Sequence, residues 1–295
     1  MSDEGGERIA KVIARAGLCS RRDAERWIAD GRVSVDGTVL KTPAHTVSAA
    51  NKVLVDGHPL PAAAETRLWR YHKPPGLVTS HGDPQGRTTV FDKLPKAMGR
   101  VISIGRLDLS SEGLLLLTND GELARRLELP ATGWQRRYRV RAYGEVNEDR
   151  LARLAQGITV AGVKYGPIEA KLESSTGKNS WLEVSLSEGK NREVRKVLEH
   201  LKLNVNRLIR ISYGPFLLAK MGRGEIIEVA GKVLRDQLAS ADGKNADGSP
   251  AAKGNFRGKG WAKSGKKPGS NKPGWKPTSR KTIAKDAKPH RKPRP

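Results

Sequence analysis

Residues 105–120 read GRLDLSSEGLLLLTND. The four consecutive leucines, Leu114 to Leu117, predict a strand buried on both faces, because a strand with one wet face would alternate apolar and polar residues. The polar turn ahead of them holds one acid, Asp108, beside Arg106. Working outward, RVISIG (100–105) alternates and reads as a strand. Asp120-Gly121 turns the chain into ELARRLEL, a short helix ending at Pro130. QRRYRVRAYG is a strand, and NEDRLARLAQG is a helix capped by Asn147 with Leu151 and Leu154 inward. VKYGPIEAKLE and SWLEVSLSEG read as strands. NREVRKVLEHLKL is a helix with Val194, Val197, Leu198 and Leu201 on one face, and VNRLIRISYG and EIIEVA are strands. Upstream, LWRYHKPPGLVTS is a strand broken by a Pro-Pro-Gly turn. Strands outnumber helices and often follow one another directly, which predicts an α+β fold with a mostly antiparallel sheet.

The first sixty residues have another pattern. In ERIAKVIARAG, Ile9, Val12, Ile13 and Ala16 recur at helical spacing up to Gly17. Ser20 and Asp23 form a capping-box pattern at the start of SRRDAERWIADG. Its apolar stripe is Ala24, Trp27 and Ile28, and its other face carries Arg21, Arg22 and Arg26. VSVDGTVL and VLVDGHPL follow, alternating segments each containing an Asp-Gly turn.

The chain has 295 residues and a formal charge of +24, which points to a polyanionic partner, nucleic acid first. Residues 239–295 hold 16 lysines and arginines against 3 aspartates. This Lys-, Gly- and Pro-rich tail is expected to be disordered, with Phe256, Trp261 and Trp275 available for RNA bases. No apolar run reaches the roughly 18 residues of a membrane span, and no signal core opens the sequence. The single cysteine, Cys19, excludes an intrachain disulfide, and the histidines lack zinc spacing. A soluble cytoplasmic protein is expected, without metal, cofactor or membrane partner. Nothing points beyond a monomer.

Which acid could do chemistry? A metal nuclease needs several converging carboxylates and a glycosidase needs two. Asp120 sits in an Asp-Gly turn and Glu122 near a helix start, both structural positions. Glu112 is expected to face solvent. Asp108 alone ends a strand in a sharp, apolar-flanked loop. By pattern it is either a reactive carboxylate or a turn-forming acid paired with Arg106. By pattern alone Tyr138, in the alternation with Val140 and Ala142, reads as a core-facing strand tyrosine, and Arg195 as an exposed helix arginine.

The segment Ala14–Gly37 resembles the S4 RNA-binding domain. That resemblance places RNA contacts at Arg21, Arg22 and Arg26, with Lys11 and Arg15 beside them. GRLDLSSEGLLLLTNDGELARRL resembles the active-site motif of the bacterial pseudouridine synthases related to the small-subunit synthase A group. HKPPGLVTS, DPQGRTTVFDKLP, RRYRVRAYGEV and SEGKNREVRKVLEHL match the same family in order, and look most like its large-subunit ribosomal RNA branch. Thr88 stands where that branch often has proline. The resemblance implies an S4 domain over 7–66, a catalytic domain over 67–238 and the basic tail over 239–295. It implies an isomerase that turns uridine into pseudouridine in 23S ribosomal RNA, in a stem-loop or a pre-50S particle. Asp108 would be the reacting carboxylate, Tyr138 the tyrosine against the target base and Arg195 the cation paired with Asp108. Arg87 and Arg106 would touch RNA phosphates. A non-catalytic ribosome-assembly factor on the same scaffold, or a synthase for 16S ribosomal RNA, are the competing expectations.

Overall fold

The computed structural model describes residues 6–62, 64–129 and 132–241. The expected disorder of the tail, its aromatics and the helix stop at Pro130 therefore lie outside the described residues, apart from residues 239–241.

The N-terminal part packs helices α1 (Ile9–Arg15) and α2 (Arg21–Ala29) on a small sheet. Ser20 caps α2, and its side chain and that of Asp23 bond each other's backbone reciprocally, as the sequence spacing requires. Strand β1 (Glu7–Arg8) pairs with β4 (Thr46–Val47). The other sheet runs β3 (Thr38–Val39), β2 (Val33–Val35), β5 (Val53–Val55), β6 (His58–Pro59). Each alternating segment folds back as a hairpin. Asp36 and Gly37, then Asp56 and Gly57, take φ of 49°, 84°, 51° and 81°. Two successive positive φ values define the turn whose twist suits a tight hairpin, which is why Asp-Gly recurs. Ile9, Ile13, Ala24, Ile28, Val33 and Val35 form this core.

Between residues 68 and 228 the described chain builds one nine-stranded sheet. Its strands are β7 (Leu68–Lys73), β8 (Ile102–Ile104), β9 (Glu112–Thr118), β10 (Arg136–Tyr143), β13 (Ile168–Thr176), β14 (Asn179–Leu186), β15 (Asn204–Tyr213), β16 (Phe216–Leu217) and β17 (Ile226–Glu228). A separate two-stranded ribbon joins β11 (Ile158–Val160) to β12 (Val163–Tyr165), so VKYGPIEAKLE is split at Gly166-Pro167. The main order is β13-β14-β10-β15-β9-β7-β17, with β8 on β9 and β16 on β15. Every pairing in it is antiparallel except β15 with β9.

Helices α4 (Glu148–Arg153) and α5 (Glu193–His200) pack Leu151, Val194, Val197 and Leu198 with Val140, Leu182, Val184 and Leu208. Asn147 caps α4 as expected. Strand β9 is buried along its whole length. Leu114 and Leu116 meet α3 (Gly121–Glu128) and α6 (Gly231–Ala241) on one side, while Leu115 and Leu117 join Trp69, Tyr71 and Leu107 on the other. Helix α6, whose Leu234 and Leu238 pack against the first of these clusters, is an element that the sequence pattern did not predict. It runs to Ala241, past the expected start of the tail.

The β9–β15 junction is two residues long: Ile209 faces Glu112 and Arg210 faces Gly113. Gly113 has φ +107°, and a Cβ there would lie 2.6 Å from the backbone nitrogen of Arg210 and closer still to its carbonyl oxygen. A side chain cannot fit without parting the strands. Gly113→Ala is expected to cost about 3 kcal/mol or more of stability, from strain and overpacking together. Gly105→Ala, also at positive φ (+67°) but with nothing within 4 Å of the added Cβ, should cost only about 1–2 kcal/mol. Urea unfolding of both variants checks the difference, and equal losses would disprove the close approach.

Candidate active site

Asp108 stands in the loop between β8 and β9, and the loop is tied down from below. Lys73, at the end of β7, is fully buried, and its ammonium donates to the carbonyls of Pro74 (3.1 Å), Asp108 (3.2 Å) and Ser111 (2.9 Å). The Ser111 amide donates to the Asp108 carbonyl at 3.0 Å, and the Gly76 amide to that of Leu109 at 2.7 Å. Thr79 Oγ1 donates to the Leu107 carbonyl at 2.8 Å. The loop's backbone is held by donors while the Asp108 side chain, one-third exposed, is left to project.

Two guanidiniums approach from the start of α5. Arg192 Nη1 lies 3.6 Å from Asp108 Oδ2. Arg192 caps α5 with its backbone in the left-handed region (φ 52°, ψ 32°), which offsets it from the helix that follows. The sequence reading gave this pairing to Arg195 and the adjacent contact to Arg106. Among the described residues the ion-pair partner of Asp108 is Arg192, and Arg106 is exposed. Arg195 is buried rather than exposed, one turn into the helix, with Nη1 donating to the Val205 carbonyl at 2.9 Å. Its Nε and Nη2 have no hydrogen-bond partner among the described residues. Burial, then the charge of Arg192, pulls its pKa below the usual guanidinium value, while Asp108 and Glu199 act the other way. Asp108 and Arg195 thus feel each other without touching.

Tyr138, on β10 between Val184 and Arg210, is half-buried. It packs against both the α4/α5 core and the cluster that contains Leu107. It bridges the two halves of the sheet beside the Asp108 loop, neither fully in the core nor free on the surface.

Glu112 corrects a second expectation. It is buried, not solvent-facing, and is ion-paired to Arg207 Nε and, at 2.9 Å, to Arg223. Burial pushes its pKa up, but the two arginines outweigh that and hold it below the usual carboxylate value. Its role is to neutralise cations beside the β9–β15 junction. Among the described residues no cluster of three or more His, Cys, Asp or Glu side chains could hold a metal ion.

The expected RNA-contact residues divide. Lys11, Arg15 and Arg21 line one groove, whereas Arg22 and Arg26 are exposed outside its lining. Arg26 is paired with Asp23, and Arg21 lies 3.5 Å from Glu25. Arg87 is committed to Asp83 by three bonds that close the 83–87 turn, and these pull the Asp83 pKa down to about 2. Arg106 keeps an exposed side chain on the Asp108 loop. Sequence reasoning passed over Lys73, Arg192 and Gly113. Lys73 and Arg192 sat inside quoted motifs (HKPPG and GKNREVR), but neither stretch tells which cation meets which oxygen.

The chain matches the family described as RNA pseudouridylate synthase over residues 67–200 and the S4 domain over residues 7–54. It is 48% identical over 228 residues to a protein of Rickettsia felis named an uncharacterized RNA pseudouridine synthase, covering 77% of this chain and 99% of that one. It is 42% identical over 221 residues to a Yersinia pestis protein named ribosomal large subunit pseudouridine synthase B, covering 73% of this chain and 70% of that one. Among solved structures, one described as a pseudouridylate synthase superposes with a TM-score of 0.55 at 26% identity, covering 78% of this chain and 99% of that one. Among the described residues no helix is long and apolar enough to cross a membrane.

Lys73 gives the loop a pH signature. Burial lowers its pKa from 10.5 to about 8, against the opposing charges of Asp108 and Glu112. Between those two values the unfolded chain holds a proton that the folded chain has lost, so this group makes stability rise with pH. Its full penalty is present below about pH 8 and gone above 10.5. Relative to Lys73→Met, the wild type should gain up to about 3 kcal/mol across that window, read from urea midpoints at successive pH values. Parallel curves would mean that Lys73 titrates normally.

Proposed function

The chain belongs to the RNA pseudouridylate synthase family and carries an S4 RNA-binding domain, and from that premise we propose that it isomerises a uridine of 23S ribosomal RNA at Asp108. The observation that carries the proposal is one projecting carboxylate ion-paired to Arg192 and under the charge of the buried Arg195, above a loop fixed by Lys73. That the matched relatives include proteins named for the large ribosomal subunit favours 23S over 16S RNA as the substrate.

The reaction breaks the uridine N1–C1′ bond, turns the uracil and joins C5 to C1′. C5 gives up its proton and N1 ends with one, so atoms balance without water or an external leaving group. A single carboxylate suffices, either attacking the sugar–base unit or removing a sugar proton. Arg192 holds Asp108 in the free enzyme. Arg195, desolvated and with Nε and Nη2 unpartnered, would bind the carboxylate or the uracil as the base turns. The target base leaves its stack to reach the loop, and Tyr138 supplies the flat face that receives it and a hydroxyl able to relay the C5 proton, passing its own on as it accepts. Nothing in these steps changes oxidation state, so the residues suffice without a redox group.

Asp108→Asn keeps the shape of the side chain and removes its charge. Pseudouridine formation on a 23S stem-loop should be abolished while RNA binding persists within about twofold, since binding rests on the basic surfaces. Tyr138→Phe should slow turnover with little change in binding. An Asp108→Asn protein that still makes pseudouridine would sink the assignment.

A further inference from the structure

The groove that gathers Lys11, Arg15 and Arg21 has a second wall from the catalytic part of the chain: Arg100, Arg125 and Arg126, with Asn119, Asp120 and Glu122. Six cations face two acids there. Some of that charge is spent. Glu7 binds Lys11 at 2.9 Å and Arg15 at 3.0 Å, Glu122 binds Lys11 across the groove, and Arg126 donates to the Leu238 carbonyl. Arg100 and Arg125 have no ion-pair partner among the described residues.

The two walls are fixed to each other. The Lys11–Glu122 pair joins α1 to α3. The connecting segment is fastened to the turn after β9: Arg67 N donates to Asn119 Oδ1 and Asn119 Nδ2 to the Glu65 carbonyl, each at 2.8 Å, and Thr66 Oγ1 donates to Asp120 Oδ2 at 2.8 Å. The groove therefore begins where β9 ends, and the Asp108 loop ends where β9 begins. At about 3.3 Å per residue, the six steps from Glu112 to Thr118 separate them by about 20 Å.

One segment links the two. Thr79 holds Leu107, two residues on His81 stacks on Phe91, and Arg100 acts electrostatically on both His81 and Cys19. Residues 79–91 thus run from the reacting loop to the groove.

We propose that this groove grips the phosphodiester backbone of the substrate's stem, and that its rigid offset of about 20 Å from Asp108 selects which uridine along the RNA reaches the carboxylate. The proposal rests on the uridine-isomerising reading. A phosphate track is the ligand that suits it: six cations are spaced along a groove and offered from two domains, beside a short apolar strip of Ala14, Ile102 and Leu129. The groove thereby positions, and Asp108 reacts.

The test uses the full chain and two stem-loops that share the target uridine and its loop. One has a stem long enough to reach the groove and the other a stem cut short of it. The variants are Arg100→Ala and Arg125→Ala together, both surface changes outside the reacting loop. On the long stem the double variant should raise KM about tenfold, leave kcat unchanged and reduce the slope of log affinity against log salt by about 2. On the short stem it should match the wild type. Equal KM rises on both stems would reduce the groove to general attraction and overturn the ruler. Unchanged kinetics on both would overturn it too, leaving the groove to a protein partner. A fall in kcat would show a disturbed reacting loop instead of a gripping site. If the wild type modified neither stem, the isomerase reading would fail first. Filter binding of the two stems would still show whether the arginines distinguish them.

Discussion

The close approach of Gly113 to Arg210 governs this molecule. It lets β9 lie parallel to β15, and a parallel neighbour cannot be reached by a hairpin. The chain must leave β9 and travel through β10, β13, β14 and α5 before it returns as β15. Because the two strands run the same way, the segments that precede them arrive at the same end of the sheet. Ahead of β9 is the loop with Asp108. Ahead of β15 is α5, whose first turn carries Arg192 and Arg195. Ion-pair chemistry between residues so far apart in sequence is a direct consequence of that single parallel step.

Charge is distributed around the junction with a consistent logic. Lys73, Arg195 and Arg210 are buried cations that spend donors on backbone carbonyls, Arg210 on Leu114 at 2.6 Å. The buried Glu112 takes up Arg207 and Arg223 nearby. Carbonyls and Glu112 together absorb the structural cations, so Asp108 is not consumed in holding the sheet together. A carboxylate recruited as a structural counter-ion would be lost to chemistry. Breaking such buried pairs costs several kcal/mol, which makes the Glu112 cluster a support of the seam and explains why a variant there would report on folding before catalysis.

Local features were legible in the sequence wherever a short-range rule determines them. Ser20 and Asp23 cap α2, Asn147 caps α4, Asp-Gly pairs turn two hairpins, and Leu114–Leu117 announce a strand covered on both faces. Each depends on residues within four positions of one another. What was not legible depends on register across long separations. Glu112 looked like an exposed loop acid because its partners, Arg207 and Arg223, lie about a hundred residues on. Arg195 looked exposed because α5 alone does not reveal that β15 covers it. Arg192 was missed because its reach depends on a left-handed backbone, which a non-glycine residue gives no sign of. The resemblance to a known family singled out Asp108, but the cation touching it emerged only from the fold.

The leucine-rich β9 also has a history within each synthesis. Its pairing with β7 and β8 needs only residues close by, yet its other edge waits for Arg210, nearly a hundred residues later. At about 5–20 residues per second, the ribosome leaves that edge unpaired for about 5–20 seconds. Because β8 already covers Leu116–Thr118 on that side, the open stretch is residues 112–115, and an unpaired strand edge is a template for association with other chains. Gly113 and the buried Glu112, at the open end of β9, break the uniformity of that edge while it waits. The same two residues that shape the finished seam thus act as gatekeepers for the nascent chain.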